Sequence, residues 1–532
     1  MRNNILRRYL GCLSFANLCA LNLWHDSQRL QPRFVDYYRA APAGHTMVAA
    51  TLLVVLTLSV VFFAIVSLGL RVTQPRLALT LRTAVTLTFL FPVYLLDYVV
   101  RSSDLTGPSF LAAKAVVYLG YVGVVSAAVL YAVLQKEGAF RVLLGVNQAL
   151  VPLLLVTLAG HMWSAFGQEK FSAGSHLASR TGVRRARPSG HPRILWVLFD
   201  EFDYNLGFVS RPASLDLPEF DRLRRESLAA DNAFPAAPET LLALPSLISG
   251  QQLCGAQILG PSGLSLCREN GRKNGPWLAS ETIFARLLSQ GSSSGVVGWY
   301  HPYCRLFPEA LTACEFVAST NTVLLVREAY ARRVGTVRFG WYLLRSQFAL
   351  LPLVPPAISP DILDLGRIEQ LSEFQKIHAA ALKYAVDPEL DFAMFHYPIP
   401  HPYGIYDRRA GAFSVRPEAT YIDNMALADR VLGEIRRGLE TSGLWERTAL
   451  VISSDHALRH WDSLLVDGLK HSPTLGGTGL ERIPFFVRLP GETVGKSYAP
   501  RVNTLLTGDL ILAISRGELS TLGEVENWLQ KR

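Results

Sequence analysis

The chain has 532 residues, half of them apolar, with a mean hydropathy of +0.22 and a formal net charge of +9. That length exceeds one ordinary core, so two or three units are expected, and so apolar a composition excludes a purely soluble enzyme of usual make-up. No basic run is interleaved with aromatic residues, so the positive charge is read as membrane orientation and lipid contact, and a nucleic-acid partner is excluded.

In chain order, the first element is a short apolar stretch at about 9–24, following Arg7 and Arg8 and lacking a clear cleavage site. Four longer apolar stretches follow at about 46–70, 79–100, 109–134 and 141–162. Each approaches or exceeds the roughly 20 residues that cross a bilayer as a helix. About five helices over 1–163 form a multi-pass membrane domain. Cationic residues set its orientation: Arg2, Arg7, Arg8, Arg71, Arg76, Arg82, Lys136 and Arg141 fall inside, against Arg29, Arg33, Arg39, Arg101 and Lys114 outside. The chain after 163 then faces the periplasm, beyond the inner (cytoplasmic) membrane. Asp97 and His161, near span ends, are read as snorkelling to the interface.

Residues 164–192 form a polar linker with a basic patch at Arg184, Arg185 and Arg187. From 193 the pattern changes to strand–helix alternation. Runs at 193–199, 294–300, 391–397, 448–454 and 483–488 read as strands, and 418–440 as an amphipathic helix with Ile422, Met425, Leu432, Ile435 and Leu439 on one face. This predicts an α/β domain over 193–515 with a mostly parallel central sheet, followed by a polar helical tail at 516–532. Cys12 and Cys19 lie in an apolar segment and are read as packing residues. Cys254, Cys267, Cys304 and Cys314 lie in the α/β part, allow three pairings, and pair most locally as Cys254–Cys267 with Cys304–Cys314. Disulfides here imply an oxidising compartment; four reduced thiols are the plain alternative.

Chemistry collects where strands stop. The run ending at Asp200 is wholly apolar before it, and Glu201 and Asp203 concentrate negative charge beyond it. A divalent cation relieves such a cluster, and a helix N-cap cluster is the structural alternative. Thr240 precedes Leu241 and Pro245 at a helix start. There a hydroxyl caps the helix or, near a metal and the positive helix end, becomes a nucleophile. His396 and His401 sit five apart with prolines between and after them. A helix is excluded, and both imidazoles are expected on a loop over the sheet edge, suited to phosphate recognition or proton transfer. Asp455 and His456 follow another strand and can turn to one cation, with Arg459 close enough to meet an anionic substrate. His471, before a Gly-rich turn, is a candidate leaving-group acid or a surface histidine.

The order Asp200, Thr240, His396, His401, Asp455, His456, His471 resembles the alkaline phosphatase/sulfatase superfamily over about 190–495. With several N-terminal helices before an outward domain, the chain is similar to the membrane-bound phosphoethanolamine transferases and lipoteichoic acid synthases. The resemblance implies that Asp200, Thr240, Asp455 and His456 bind one divalent metal, Zn²⁺ or Mn²⁺. It further implies that Thr240 is the nucleophile and carries the phosphoryl group, and that His401 and His471 match substrate-contacting histidines; His396 and Arg459 are read from their positions as substrate-binding. Two departures stand out. Sulfatases need Cys or Ser followed by x-Pro-x-Arg, which Thr240–Pro245 lacks, and the usual glycine after Asp-His is Ala457 here. The expected function is transfer of a lipid head-group phosphoryl unit from a membrane lipid donor to an envelope glycan or lipid acceptor. A sulfatase-like hydrolase of phosphate or sulfate esters, or a non-catalytic lipid-binding envelope protein of the same fold, are the alternatives.

Overall fold

A computed structural model describes residues 2–20, 44–71, 191–268, 274–317, 323–349, 362–416, 418–459 and 478–532, with a few isolated positions elsewhere. The chain divides into two compact units. One comprises Met1–Leu30, Pro42–Lys170 and Arg327–Pro360; the other comprises Gln31–Ala41, Phe171–Val326 and Asp361–Arg532. Both are discontinuous in sequence, an interleaving that hydropathy alone did not suggest.

In the first unit, helix α1 (Arg2–Cys19) packs on α2 (Gly44–Arg71). Phe15 meets Phe62 at 4.8 Å between ring centroids, and Tyr9 meets Phe63 edge-on at 5.8 Å. Cys12 and Cys19 are unbonded and buried in this seam, as packing residues. Among the described residues one helix, His45–Leu68, is long and apolar enough to cross a membrane. It coincides with the expected 46–70 stretch. The stretches at 79–100 and 109–134 lie outside the described residues, as does most of 141–162.

The second unit is built on a nine-stranded sheet. Its labelled strands are β1 (Arg193–Asp200), β2 (Leu228–Ala230), β3 (Ser294–Trp299), β4 (Ala313–Val317), β5 (Phe392–Pro400), β6 (Thr448–Ser454), β7 (Phe485–Arg488) and β8 (Lys496–Tyr498). In space the order is His176–Leu177, β4, β3, β5, β1, β6, β7, β2, β8. The five central strands, β4 to β6 in that order, run parallel; β7 turns antiparallel against β6. Parallel central strands are buried on both faces, which is why β1, β5 and β6 read as nearly continuous apolar runs.

Helices α3 (Pro218–Glu226), α4 (Thr240–Ser249), α5 (Ile362–Ala385), α6 (Tyr421–Thr441), α7 (Thr507–Ser515) and α8 (Leu522–Gln530) belong to this unit. Side chains alternate across a strand. Leu195, Val197 and Phe199 therefore join one apolar cluster with Phe374 and Ile377 of α5 and Met425 and Leu432 of α6. Ile194, Trp196 and Leu198 point to the opposite face, and Asp200 shares their parity. Arg193 anchors the other end of β1: its guanidinium donates to the carbonyls of Tyr384, Ala385 and Leu390, taking up acceptors left over at the end of α5. Two disulfides, Cys254–Cys267 and Cys304–Cys314, form in the local pairing.

Candidate active site

Three chain segments deliver the site to one edge of the sheet. β1 ends at Asp200. β6 lies parallel beside it in the register Ser454 to Phe199, so Asp455 emerges level with Asp200. The Asp455 N–H donates to the Phe199 carbonyl at 3.2 Å. Thr240 is the first residue of α4, after an extended Glu239 whose carbonyl accepts from Leu242 and Ala243. The Thr240 hydroxyl caps nothing in its own helix. It donates to Asp200 Oδ1 at 3.3 Å and lies 3.2 Å from His456 Nε2. The capping alternative is thereby set aside.

His456 Nε2 is 3.6 Å from both Asp200 Oδ1 and Asp455 Oδ2. Its Nδ1 donates to the Ala457 carbonyl at 2.8 Å, so Nε2 is the ring nitrogen turned toward the carboxylates, where it can ligate a cation. Asp455 Oδ1 accepts from the His456 and Glu201 amides, at 2.7 and 3.2 Å. Asp455 Oδ2 and Asp200 Oδ2 are buried with no hydrogen-bond partner. Asp200, Asp455 and His456 are fully buried, and their ligand atoms lie within 4.8 Å of one another. Two orphaned anionic oxygens and an imidazole lone pair, sealed from water, fit a divalent cation of borderline hardness. Without one, the carboxyl of Asp200 is pushed well above the usual range by burial, then by the charges of Asp455 and Glu201. Burial also pushes Asp455 upward, but His456, His396 and the two amide donors outweigh it and hold the group below its ordinary value.

Of the three acidic residues at the end of β1, Asp200 is the one that groups with Asp455 and His456 as a possible metal ligand. Glu201 takes a left-handed φ of 62° and turns its carboxylate to Arg459, whose Nε donates at 2.8 Å. Its carbonyl accepts from the Tyr421 hydroxyl at 2.6 Å. Asp203 caps the next turn, accepting from Leu206 N at 2.8 Å, so the N-cap reading holds for that residue. Arg459 is thus an ion-pair partner of a buried glutamate, with its own side chain 35% exposed.

The two histidines near β5 separate. The expectation of a shared exit loop is corrected: β5 continues to Pro400 and carries His396 inside the strand, fully buried, because a register irregularity between Tyr397 and Pro400 lets the strand pass its prolines. His396 Nδ1 donates to the Trp299 carbonyl at 3.1 Å, and its buried Nε2 has no partner. His401 lies on the loop beyond, its N–H donating to the Asp200 carbonyl at 3.0 Å and its ring edge-on to Trp299 at 6.0 Å. Two amides hold that loop: Gln370 and Asn424 both donate to the His401 carbonyl. Burial lowers the pKa of His401, so its ring is neutral at neutral pH until an anion arrives beside it. His471 lies outside the described residues.

Residues 207–466 match the model of the type I phosphodiesterase/nucleotide pyrophosphatase family, a segment that contains Thr240, His396, His401, Asp455, His456 and Arg459. The match supports an alkaline phosphatase/sulfatase-like superfamily for the α/β unit, as the order of site residues implied. It also supports hydrolase or transferase activity of that superfamily without separating the two, and members of the superfamily are metal-dependent. Among solved structures the chain is similar to a sulfatase from Pseudoalteromonas sp. (16% identity, TM-score 0.41, covering 62% of this chain and 69% of that one). It is also similar to a phosphonate monoester hydrolase of Agrobacterium radiobacter (16% identity, TM-score 0.34, covering 61% and 77%). No curated protein sequence matches the chain.

One histidine at the site escaped the sequence reading. His301, fully buried, brings Nε2 to 3.2 Å from the Thr240 carbonyl. The signal was present: it follows the strand 294–300, just as Asp200, His401 and Asp455 follow theirs. Gly298 makes its placement feasible, because a Cβ there would stand 2.2 Å from the Tyr303 ring that folds back over the strand.

Proposed function

We propose that this chain is a membrane-anchored, metal-dependent phosphotransferase that moves a lipid head-group phosphoryl unit onto an envelope acceptor through a phospho-threonine intermediate. The observation that carries this reading is the Thr240 hydroxyl, within hydrogen-bond reach of both Asp200 and His456, beside two carboxylate oxygens that lack any partner. A Zn²⁺ or Mn²⁺ ion held by Asp200, Thr240, Asp455 and His456 would supply Lewis acidity, lowering the cost of the alkoxide and of charge on the phosphoryl oxygens.

In the first half-reaction the Thr240 hydroxyl yields its proton toward Asp200 Oδ1, its nearest carboxylate acceptor. The Thr240 Oγ–P bond forms while the bond from phosphorus to the lipid alcohol breaks, and the departing alkoxide takes a proton from His401 or His471. His401 gains that proton when the anionic substrate lies beside it, since an adjacent negative charge raises an imidazole pKa. In the second half an acceptor hydroxyl attacks phosphorus and gives its proton to the histidine that protonated the leaving alcohol, while the Oγ–P bond breaks and the Thr240 oxygen takes back the proton held at Asp200. Arg459 would stabilise charge on the phosphoryl group, while His396 sits buried in β5 with Nδ1 committed to the Trp299 carbonyl. A sulfatase route is disfavoured because Thr240 cannot become a formylglycine and no Arg follows Pro245.

The anchoring reading rests on the apolar helix His45–Leu68, and a periplasmic location on the two disulfides. A tryptic digest after incubation with membrane lipids tests the chemistry. A mass increment on the Thr240 peptide, absent in Thr240→Ala, is expected, and its size names the transferred group. Decay of that increment in buffer alone identifies a hydrolase; loss only with a glycan or lipid alcohol identifies a transferase. Turnover retained by Thr240→Ala removes Thr240 as nucleophile.

A further inference from the structure

Residues Gln31–Ala41 group with the α/β unit, although more than a hundred residues separate them from its first long strand. Tyr37 and Tyr38 are completely buried. The Tyr37 hydroxyl lies 2.6 Å from His301 Nδ1, and the Tyr37 carbonyl accepts from the Arg305 guanidinium. The Tyr38 ring stands edge-on to Tyr300 at 5.0 Å. All three contacts fall on residues 300–305, the turn that the Cys304–Cys314 disulfide ties to β4.

The direction of each hydrogen bond is determined. A carbonyl only accepts, so His301 Nε2 carries the proton it gives to Thr240. Nδ1 then presents a lone pair, which the Tyr37 O–H fills. The helix that His301 braces needs help, because Pro245 lacks the N–H that the Leu241 carbonyl would take and the first turn of α4 is short of one bond.

We propose that Tyr37 and His301 are positioning residues: the N-terminal tyrosine fixes His301, His301 fixes the Thr240 peptide, and the threonine hydroxyl is thereby held against Asp200 and His456. The proposal rests on the reading of Thr240 as nucleophile. It makes the segment before α2 part of the catalytic apparatus, so the site is incomplete without it.

The test uses the full chain in detergent, with two probes: bis(p-nitrophenyl) phosphate for turnover and Zn²⁺ alone for binding by calorimetry. Tyr37→Phe removes one oxygen and is expected to lower kcat about tenfold with KM little changed, as loss of a buried hydrogen bond that acts only through geometry would. The same change should weaken Zn²⁺ binding several-fold in the parent chain, and not at all in a Thr240→Ala background. His301→Gln keeps one donor and one acceptor and should retain more activity than His301→Leu. Unchanged kcat and Zn²⁺ affinity in Tyr37→Phe overturn the proposal, as does an equal effect on Zn²⁺ in the Thr240→Ala background. If the diester is not cleaved but the Zn²⁺ coupling appears, the brace stands and the phosphotransferase reading fails. If the parent chain neither cleaves the diester nor binds Zn²⁺, both fail.

Discussion

Asp200 and Asp455 carry opposite pressures within one buried centre. Each has an oxygen without a partner, and a cation is the group that would satisfy both. This predicts a crossover in stability. In metal-free protein, Asp200→Asn should be more stable than the parent chain, since it removes the buried carboxyl whose charge burial and its acidic neighbours disfavour. With Zn²⁺ or Mn²⁺ at a hundredfold excess over Kd, the parent chain should gain about 2.7 kcal/mol and the variant almost nothing. Thermal unfolding of both proteins after chelation, and again after metal addition, measures this. An equal metal-induced shift in the two would show that the ion binds elsewhere. Glu201 illustrates the limit of reading acidic residues by adjacency. It neighbours a proposed ligand in sequence, yet its left-handed backbone sends the side chain to Arg459 instead.

At the scale of elements, α6 does more than cover β5. Its Asp429 accepts from Phe220 N at 2.8 Å and so caps α3 from another part of the chain. Burial raises the Asp429 carboxyl to about 7, against the pull of the Phe220 and Glu219 amides. The unfolded value is about 4, so between those pH values the folded state binds the proton more tightly. The stability this confers is complete below pH ~4 and is lost as pH rises through about 7. Asp429→Asn, which keeps an acceptor but no titration, should therefore be less pH-sensitive than the parent chain by about 2 kcal/mol between pH 5 and 8. Urea midpoints at the two pH values decide this, and identical slopes would refute it. The strands were legible element by element, because each central one is a solid apolar run. The antiparallel turn of β7 was not, since a four-residue buried strand carries no mark of its direction.

For the whole molecule, the two disulfides close loops of 13 and 10 residues in sequence separation. Replacing Cys304 and Cys314 with serine should cost about 3 kcal/mol by loop-closure entropy. It should also loosen the turn that carries His301. If the α/β domain faces the periplasm, all four of these cysteines should resist maleimide labelling until a reductant is added. Immediate labelling in protein from intact cells would place the domain on the reducing side. The α/β unit also draws in Gln31–Ala41, while Arg327–Pro360 groups with the N-terminal helices. Neither segment stands out by hydropathy, because a short docking segment and a helix of mixed polarity look alike in one dimension.

By itself the sequence determined where carboxylates, hydroxyl and imidazoles would be offered. Buried parallel strands need apolar residues throughout, so polar side chains can only gather at their ends, and those ends are visible along the chain. Which of them meet was decided in three dimensions. Strand register set Asp455 beside Asp200, a helix start brought Thr240 to both, and the carboxylate of Glu201 went to an arginine. The fold alone placed His301 and Tyr37 behind the threonine, because a contact across 264 residues depends on packing and leaves no local periodicity to read.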